Sequence, residues 1–295
     1  MTLTIDSTVT LNNGVEMPLF GLGVWRSGQG SETENAVKWA LETGYRAIDT
    51  AALYQNEAEV GKIVKSGIRP REEIFVTSKV WVDNLSYEGT KAAFDDSMER
   101  LGLDYVDLYL VHWPVNDWQG AWRALEEIYE TDRVRAIGVS NFLVHHMEEL
   151  LSIAKVRPVV NQIEYHPYLQ SKDLHAYCKG QGIPLTAWAP IMKGKVLDVS
   201  ELVSIGEKYG KTAVQVTLRW MLQTGVITIP KSVHKGRIEE NADLYDFELS
   251  AEDISVIDGL DQGNEGRIGI HPDDTHIAII LVPPMLIVLR AAIFG

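Results

Sequence analysis

The sequence predicts an α/β protein built as a (β/α)8 TIM barrel with an N-terminal β-hairpin. Three observations predict it. Eight short apolar runs alternate with segments of helical periodicity, the rhythm of parallel strands joined by crossover helices. A hairpin signal precedes the first run. Most runs also finish on a polar, ionisable or large aromatic group: Asp49, Lys79, His112, Ser140-Asn141, Gln162, Trp188 and Lys231. Reactive groups of such barrels sit at the C-terminal ends of the strands, and chance would not gather so many at one rim. A doubly wound sheet stays open as the alternative, because a strand count does not demonstrate closure.

Taken in order, the chain begins with Val9-Thr-Leu, the turn Asn12-Asn-Gly, and Val15-Glu-Met-Pro. An Asn-Gly pair between short apolar runs marks a hairpin. Strand-like runs follow at 19–23, 46–49, 74–79, 106–112, 136–140, 159–164, 185–189 and 226–230. Helical periodicity covers 34–42, 57–64, 89–101, 121–129, 144–154, 172–179 and 211–222. No Pro/Gly/Ser linker or shift in composition divides the chain, so residues 1–275 are expected to form one barrel domain. Residues 276–295 are an atypical apolar tail. Pro283-Pro284 and Arg290 interrupt it, and a membrane span needs about 20 apolar residues, so no crossing is expected.

Charge narrows the function classes. The 295 residues carry a formal net charge of −14, whereas nucleic acids and anionic membranes select clustered positive charge. A single cysteine, Cys178, excludes an internal disulfide and suits a reducing compartment. The first residues lack a basic start and a long apolar core, so no secretory signal is read and a cytoplasmic location is expected.

The chemistry centres on Tyr45 to Gly61. Ala47-Ile48 is apolar and runs into Asp49, and a loop then carries Tyr54 towards the helical pattern that opens at Asn56-Glu. A carboxylate at the mouth of a buried strand needs a cation, and Lys79 at the next strand end supplies one. A Lys–Asp pair beside a phenol is expected to lower the Tyr54 pKa from about 10 and make it a usable proton donor. His112 can hold a carbonyl oxygen by a hydrogen bond. A proton donor and an oxygen-binding His, with no nucleophile or metal, suit hydride addition to a carbonyl. His145-His146-Met-Glu-Glu lacks zinc spacing, and Gly138-Val-Ser-Asn-Phe lacks the second Gly of a nucleophile elbow.

No Gly-x-Gly-x-x-Gly follows a strand, since Gly21-Leu-Gly continues as Val-Trp-Arg. The basic cluster Lys231, Ser232, Lys235 and Arg237 lies instead at a strand end and helix start, a natural anion site.

In Ile-Asp-Thr-Ala-x-x-Tyr, Val-Thr-Ser-Lys-Val-Trp and Asp-Leu-Tyr-Leu-Val-His-Trp-Pro the chain resembles the aldo-keto reductases over roughly residues 8 to 270. It is most similar to the short-looped microbial and protozoan members, such as 2,5-diketogluconate reductases and prostaglandin F synthases. The resemblance implies a monomeric NADPH-dependent reductase of aldehydes and ketones, with keto-sugars, methylglyoxal or prostaglandins among the candidate substrates. Asp49, Tyr54, Lys79 and His112 match the catalytic tetrad. The resemblance further implies that Lys231, Ser232 and Arg237 hold the adenosine 2′-phosphate, that Glu240 and Asn241 contact adenine, and that Val233 is also a cofactor-binding residue. Ser140, Asn141 and Gln162 would hold the nicotinamide amide, with Trp188 stacked on the ring. Many relatives have Tyr at the Trp188 position, and Ile191-Met-Lys-Gly replaces the commoner Leu-Gly-Gln-Gly. Trp25, Trp81 and Trp113 match the family's aromatic substrate wall, while Trp118, Trp122 and Trp220 read as core. The short stretch from Trp113 to Gly120 leaves little lid, which favours varied aldehydes and ketones. The family also contains non-catalytic binding and structural proteins on this scaffold, and fold alone does not separate the two classes.

Overall fold

The computed structural model describes residues 3–274; the apolar tail read at 276–295 lies outside the described residues. The chain begins with β1 (Thr8–Thr10) and β2 (Glu16–Pro18), paired antiparallel with Val9 opposite Met17. The alternating part then runs β3 (Gly21–Gly23), α1 (Ser31–Thr43), β4 (Ala47–Asp49), α2 (Glu57–Val64), β5 (Phe75–Val80), α3 (Tyr87–Leu101), β6 (Leu108–Val111) and α4 (Trp118–Tyr129). It continues as β7 (Ile137–Ser140), α5 (Val144–Ile153), β8 (Asn161–Glu164), α6 (Lys172–Gly180), β9 (Leu185–Trp188), α7 (Ser200–Tyr209), α8 (Ala213–Gln223), β10 (Ile227–Thr228), α9 (Lys235–Ala242) and α10 (Ala251–Asp258).

Strands β3 to β10 lie side by side in chain order, and each pairs in parallel with its neighbour. The ends then meet: Thr228 donates its N–H to the Leu19 carbonyl (3.0 Å), and Gly23 donates to Pro230 (3.2 Å). Parallel bridges Phe20–Thr228 and Gly23–Lys231 complete the circle. Closure removes the doubly wound alternative.

Several helices begin earlier than their apolar spacing suggested, because caps rather than the apolar stripe set their ends. Ser86 accepts the Gly89 N–H before α3, and Asp117 accepts the Gly120 N–H before α4. Each cap of this type contributes about 0.5–2 kcal/mol. Thr212 and Gln215 form a reciprocal box at the start of α8. Helices α7 and α10 lie outside the periodic segments read from the sequence. Their buried residues are Leu202, Ile205 and Gly206 in α7, and Asp253 and Ile257 in α10.

The hairpin closes the floor. Leu11 and Met17 pack with Ala47, Phe75, Leu108, Ala136, Val159 and Ile227, residues at or near the starts of the strands. Asn12 and Asn13 tie the turn to the Pro158 and Arg135 carbonyls at 2.9 and 3.0 Å. Trp118, Trp122 and Trp220 are buried core, as expected. Cys178 is buried too, and burial pushes its thiol up to about 11, so it carries little thiolate at neutral pH. Among the described residues no helix is long and apolar enough to cross a membrane.

Candidate active site

Asp49 ends β4, and its register partner Thr77 lies two residues before Lys79 on β5. Alternation along the strand puts residues 77 and 79 on one face, so Lys79 extends beyond Asp49 on the same side. Its Nζ donates to Asp49 Oδ1 at 2.5 Å and to the Thr50 carbonyl at 2.9 Å, and lies 3.3 Å from the Tyr54 hydroxyl. Gln162 donates to the other Asp49 oxygen at 2.7 Å. Both carboxylate oxygens are therefore engaged, which a buried charge requires.

Tyr54 ends a single 3-10 turn, Ala52–Tyr54. The buried Asn56 holds this loop: it accepts from the Thr50 hydroxyl (2.8 Å) and donates to the Val24 carbonyl (3.0 Å). Trp25 packs on the phenol with ring centres 4.7 Å apart, and Trp81 meets the His112 ring edge-on at 5.1 Å. His112 follows β6 and lies 5.9 Å from the Tyr54 ring, again edge-on. Its Nδ1 is buried and has no partner among the described residues. Behind the group, Glu57 accepts from Ser78 (2.5 Å) and Arg100 (2.7 Å).

The electrostatics correct one expectation. Tyr54 lies well above the usual tyrosine range, pushed there first by burial and then by the Asp49 carboxylate. The expected lowering assumed that the ammonium would dominate. Instead Lys79 is spent on Asp49, and loss of water around the phenol outweighs it. Tyr54 is thus protonated at neutral pH, a donor that keeps its proton until a stronger base forms beside it. Burial pulls Lys79 down, and Asp49 and Glu57 oppose that pull. Burial and the neighbouring Lys79 charge hold His112 well below the usual histidine range, so its ring is neutral.

These groups open on a cavity of about 730 Å³, within the usual range for a small-molecule site. Asp49, Tyr54, His112, Trp25, Trp81 and Trp113 line it. So do Asn141, Gln162, Trp188, Lys231, Ser232, Val233, Arg237, Glu240 and Asn241. Lys79 is fully buried behind Asp49, and neither it nor Ser140 is part of the lining. The Ser140 hydroxyl donates to the Gln162 carbonyl at 2.8 Å. Asn141 is braced by donating to the His112 carbonyl (2.9 Å), and its Oδ1 accepts the Trp188 indole N–H at 2.8 Å. Lys235 does not line the cavity and sits 3.7 Å from Glu239.

Cation and amide donors at the α9 end, and a flat aromatic with amides at the barrel end, fit a dinucleotide carrying an extra phosphate. The cavity also recruits Arg26, Leu53 and the segment Ile268-Gly-Ile270, which the sequence reading missed, together with Lys193 and His234 from the stretches already noted. Away from it, the Nε2 atoms of His145 and His146 approach Asp273 Oδ1 at 3.3 and 3.5 Å. His146 Nδ1 accepts the Leu143 N–H (3.2 Å), which leaves the neutral ring's proton on Nε2, facing the carboxylate. That arrangement is a tie between α5 and the C-terminal segment rather than a ligand set.

Residues 20–262 match the family model described as the aldo/keto reductase family. The chain belongs to that family. This aldo-keto reductase is an enzyme of NADPH-dependent carbonyl reduction. It is 54% identical over 275 residues to the glyoxal reductase of Bacillus subtilis, covering 93% of this chain and 99% of the relative. It is 50% identical over 270 residues to the 9,11-endoperoxide prostaglandin H2 reductase of Trypanosoma cruzi, covering 90% and 95%. Among solved structures, a mutant of Gox0644 in complex with NADPH is 40% identical and superposes with a TM-score of 0.86, covering 91% of this chain and 98% of the other. The aldo-keto reductase reading of the sequence and the barrel are both borne out.

Proposed function

We propose that this aldo-keto reductase reduces small dicarbonyl compounds of the glyoxal type, with Tyr54 as the proton donor. The observation that carries the reading is the Lys79 ammonium, 2.5 Å from Asp49 and 3.3 Å from the Tyr54 hydroxyl, at a cavity that His112 also lines. Glyoxal reductase activity in the Bacillus subtilis relative supports the substrate class.

When bound, NADPH supplies the hydride. Trp188, Asn141 and Gln162 are proposed to hold its nicotinamide end with Ser140 behind them; Lys231, Ser232 and Arg237 would hold the 2′-phosphate, Glu240 and Asn241 the adenine, and Val233 would line the cofactor's path. His112, neutral, donates a hydrogen bond to the substrate oxygen and orients it. As charge grows on that oxygen, Tyr54 passes its proton across. Lys79 stabilises the phenolate left behind, and Asp49 keeps the ammonium aimed. Trp25, Trp81 and Trp113 form the substrate wall and exclude water. Residues 1–275 are proposed to act as one barrel domain, as a cytoplasmic monomer without nucleic-acid partners, in keeping with the acidic charge.

Consumption of NADPH with glyoxal tests the reading, since a non-catalytic scaffold would bind the cofactor without consuming it. Two further outcomes follow. Because His112 is held neutral, the single-turnover rate should stay level as pH falls through about 6.5, the ordinary histidine pKa. Stopped-flow measurement showing a loss with that midpoint would mean the imidazole titrates in the step. Arg237→Ala should raise the NADPH dissociation constant about tenfold or more and barely affect NADH, because charge-assisted phosphate contacts contribute about 1.5–3 kcal/mol. Quenching of intrinsic tryptophan fluorescence reads both, and equal losses would move the phosphate elsewhere.

A further inference from the structure

The mechanism above leaves one buried carboxylate at the same rim without a task. Glu164 ends β8, two residues beyond Gln162, and side chains two apart on a strand point the same way. Its side chain, like that of His166, is 0% exposed. Oε1 accepts the Ile268 backbone N–H at 2.6 Å and lies 3.0 Å from His166 Nε2. Oε2 accepts the Gly269 N–H at 3.0 Å, with the Arg267 guanidinium 3.6 Å away. One carboxylate thus gathers two consecutive amides of a segment that belongs to no strand or α-helix.

That segment is a wall of the cavity, through Ile268, Gly269 and Ile270. It also lies against Trp188: a Cβ added to Gly269 would come within 2.5 Å of the indole and 2.8 Å of Glu164 Oε2. Further along, Asp273 is tied to His145 and His146. Between those ties and the turn at Gly263–Gly266, no other side chain in the described residues accepts the backbone amides of Ile268 and Gly269.

We infer that Glu164 is a positioning residue for binding of the carbonyl substrate. It clamps the 267–270 segment as a fixed wall, so that Ile268 and Ile270 meet the carbonyl compound's substituents at a set depth. The inference rests on the reading that this cavity takes the carbonyl substrate. It assigns no proton transfer to Glu164, whose oxygens meet His166, Arg267 and the amides of Ile268 and Gly269 rather than Tyr54.

Glu164→Gln tests it with little change in volume. A carboxamide has one acceptor oxygen where the carboxylate has two, so the two amides, each on its own oxygen in wild type, lose one of those acceptors, and the NH2 faces an N–H. Hydrogen exchange at Ile268 and Gly269 should accelerate about tenfold or more, the fold-change expected from losing one hydrogen bond to a charged acceptor. KM for glyoxal should rise by a similar factor, while the saturating single-turnover rate stays within about threefold, the pattern of lost binding rather than lost chemistry. Gly269→Ala displaces the same segment with the carboxylate intact, and should also raise KM should the Gln variant not fold. Unchanged KM in either folded variant, or a rate lost at unchanged KM, overturns the inference. Wild-type turnover of glyoxal, run alongside, tests the underlying reading separately; amide exchange reports on the clamp without turnover.

Discussion

Tyr54→Phe should lower the single-turnover rate of carbonyl reduction ~10²–10⁴-fold, the usual contribution of a positioned general acid. The change removes one hydroxyl and little volume. The Trp25 ring packing is retained, and Asp49 keeps its bonds to Lys79 and Gln162, so fold and NADPH affinity should survive. Because burial and Asp49 hold the phenol in its protonated form, wild type should show no rise in rate as pH falls from about 8 towards 6, within the range where an ordinary tyrosine is also protonated. Rapid mixing of preformed enzyme–NADPH with glyoxal separates the chemical step from cofactor release. A normal rate in the Phe variant would remove Tyr54 from the proton transfer.

Lys79→Met should be equally damaging to turnover and, unlike Tyr54→Phe, costly to stability. Removing one partner of a buried ion pair typically costs about 3–5 kcal/mol. Here Asp49 would keep the Gln162 amide alone as its side-chain partner. The phenolate left after proton transfer would also lose the cation 3.3 Å from its oxygen. Urea denaturation measures the first loss and single-turnover mixing the second. A variant as stable as wild type would show that Asp49 is neutralised by other means. One that is destabilised yet catalytically normal would reduce Lys79 to a structural counter-ion.

The partnership of Asp49 and Lys79 was legible because it follows from a general cost: a carboxylate at a buried strand end must find a cation. The direction of the Tyr54 shift was not legible. It depends on how much water remains around the phenol, and no local pattern encodes the depth at which a loop is buried. Gln162 was read from its strand-end position, but its bond to Asp49 joins residues far apart in the chain and needs barrel closure to exist. Glu164 illustrates an avoidable miss. It is an acid at the end of an apolar run, as Asp49 is, and the same reasoning would have asked for its partners; the answer, two backbone amides, could not have been read from side-chain identity. Boundaries were less legible than chemistry, since caps such as Ser86 and Asp117 set them.

The hairpin has a practical consequence for handling the protein. Leu11 and Met17 stopper the barrel with residues near the beginnings of the strands, while the cavity lies among residues at their far ends. The two ends of the molecule are therefore separate workspaces. A tether or fusion fixed at the Asn12–Gly14 turn would hang from the stoppered end and leave the cavity facing outward. Immobilised on a bead or electrode by that turn, the protein would present its mouth to solution, whereas attachment near Leu197, which is exposed on the rim, would crowd the entrance.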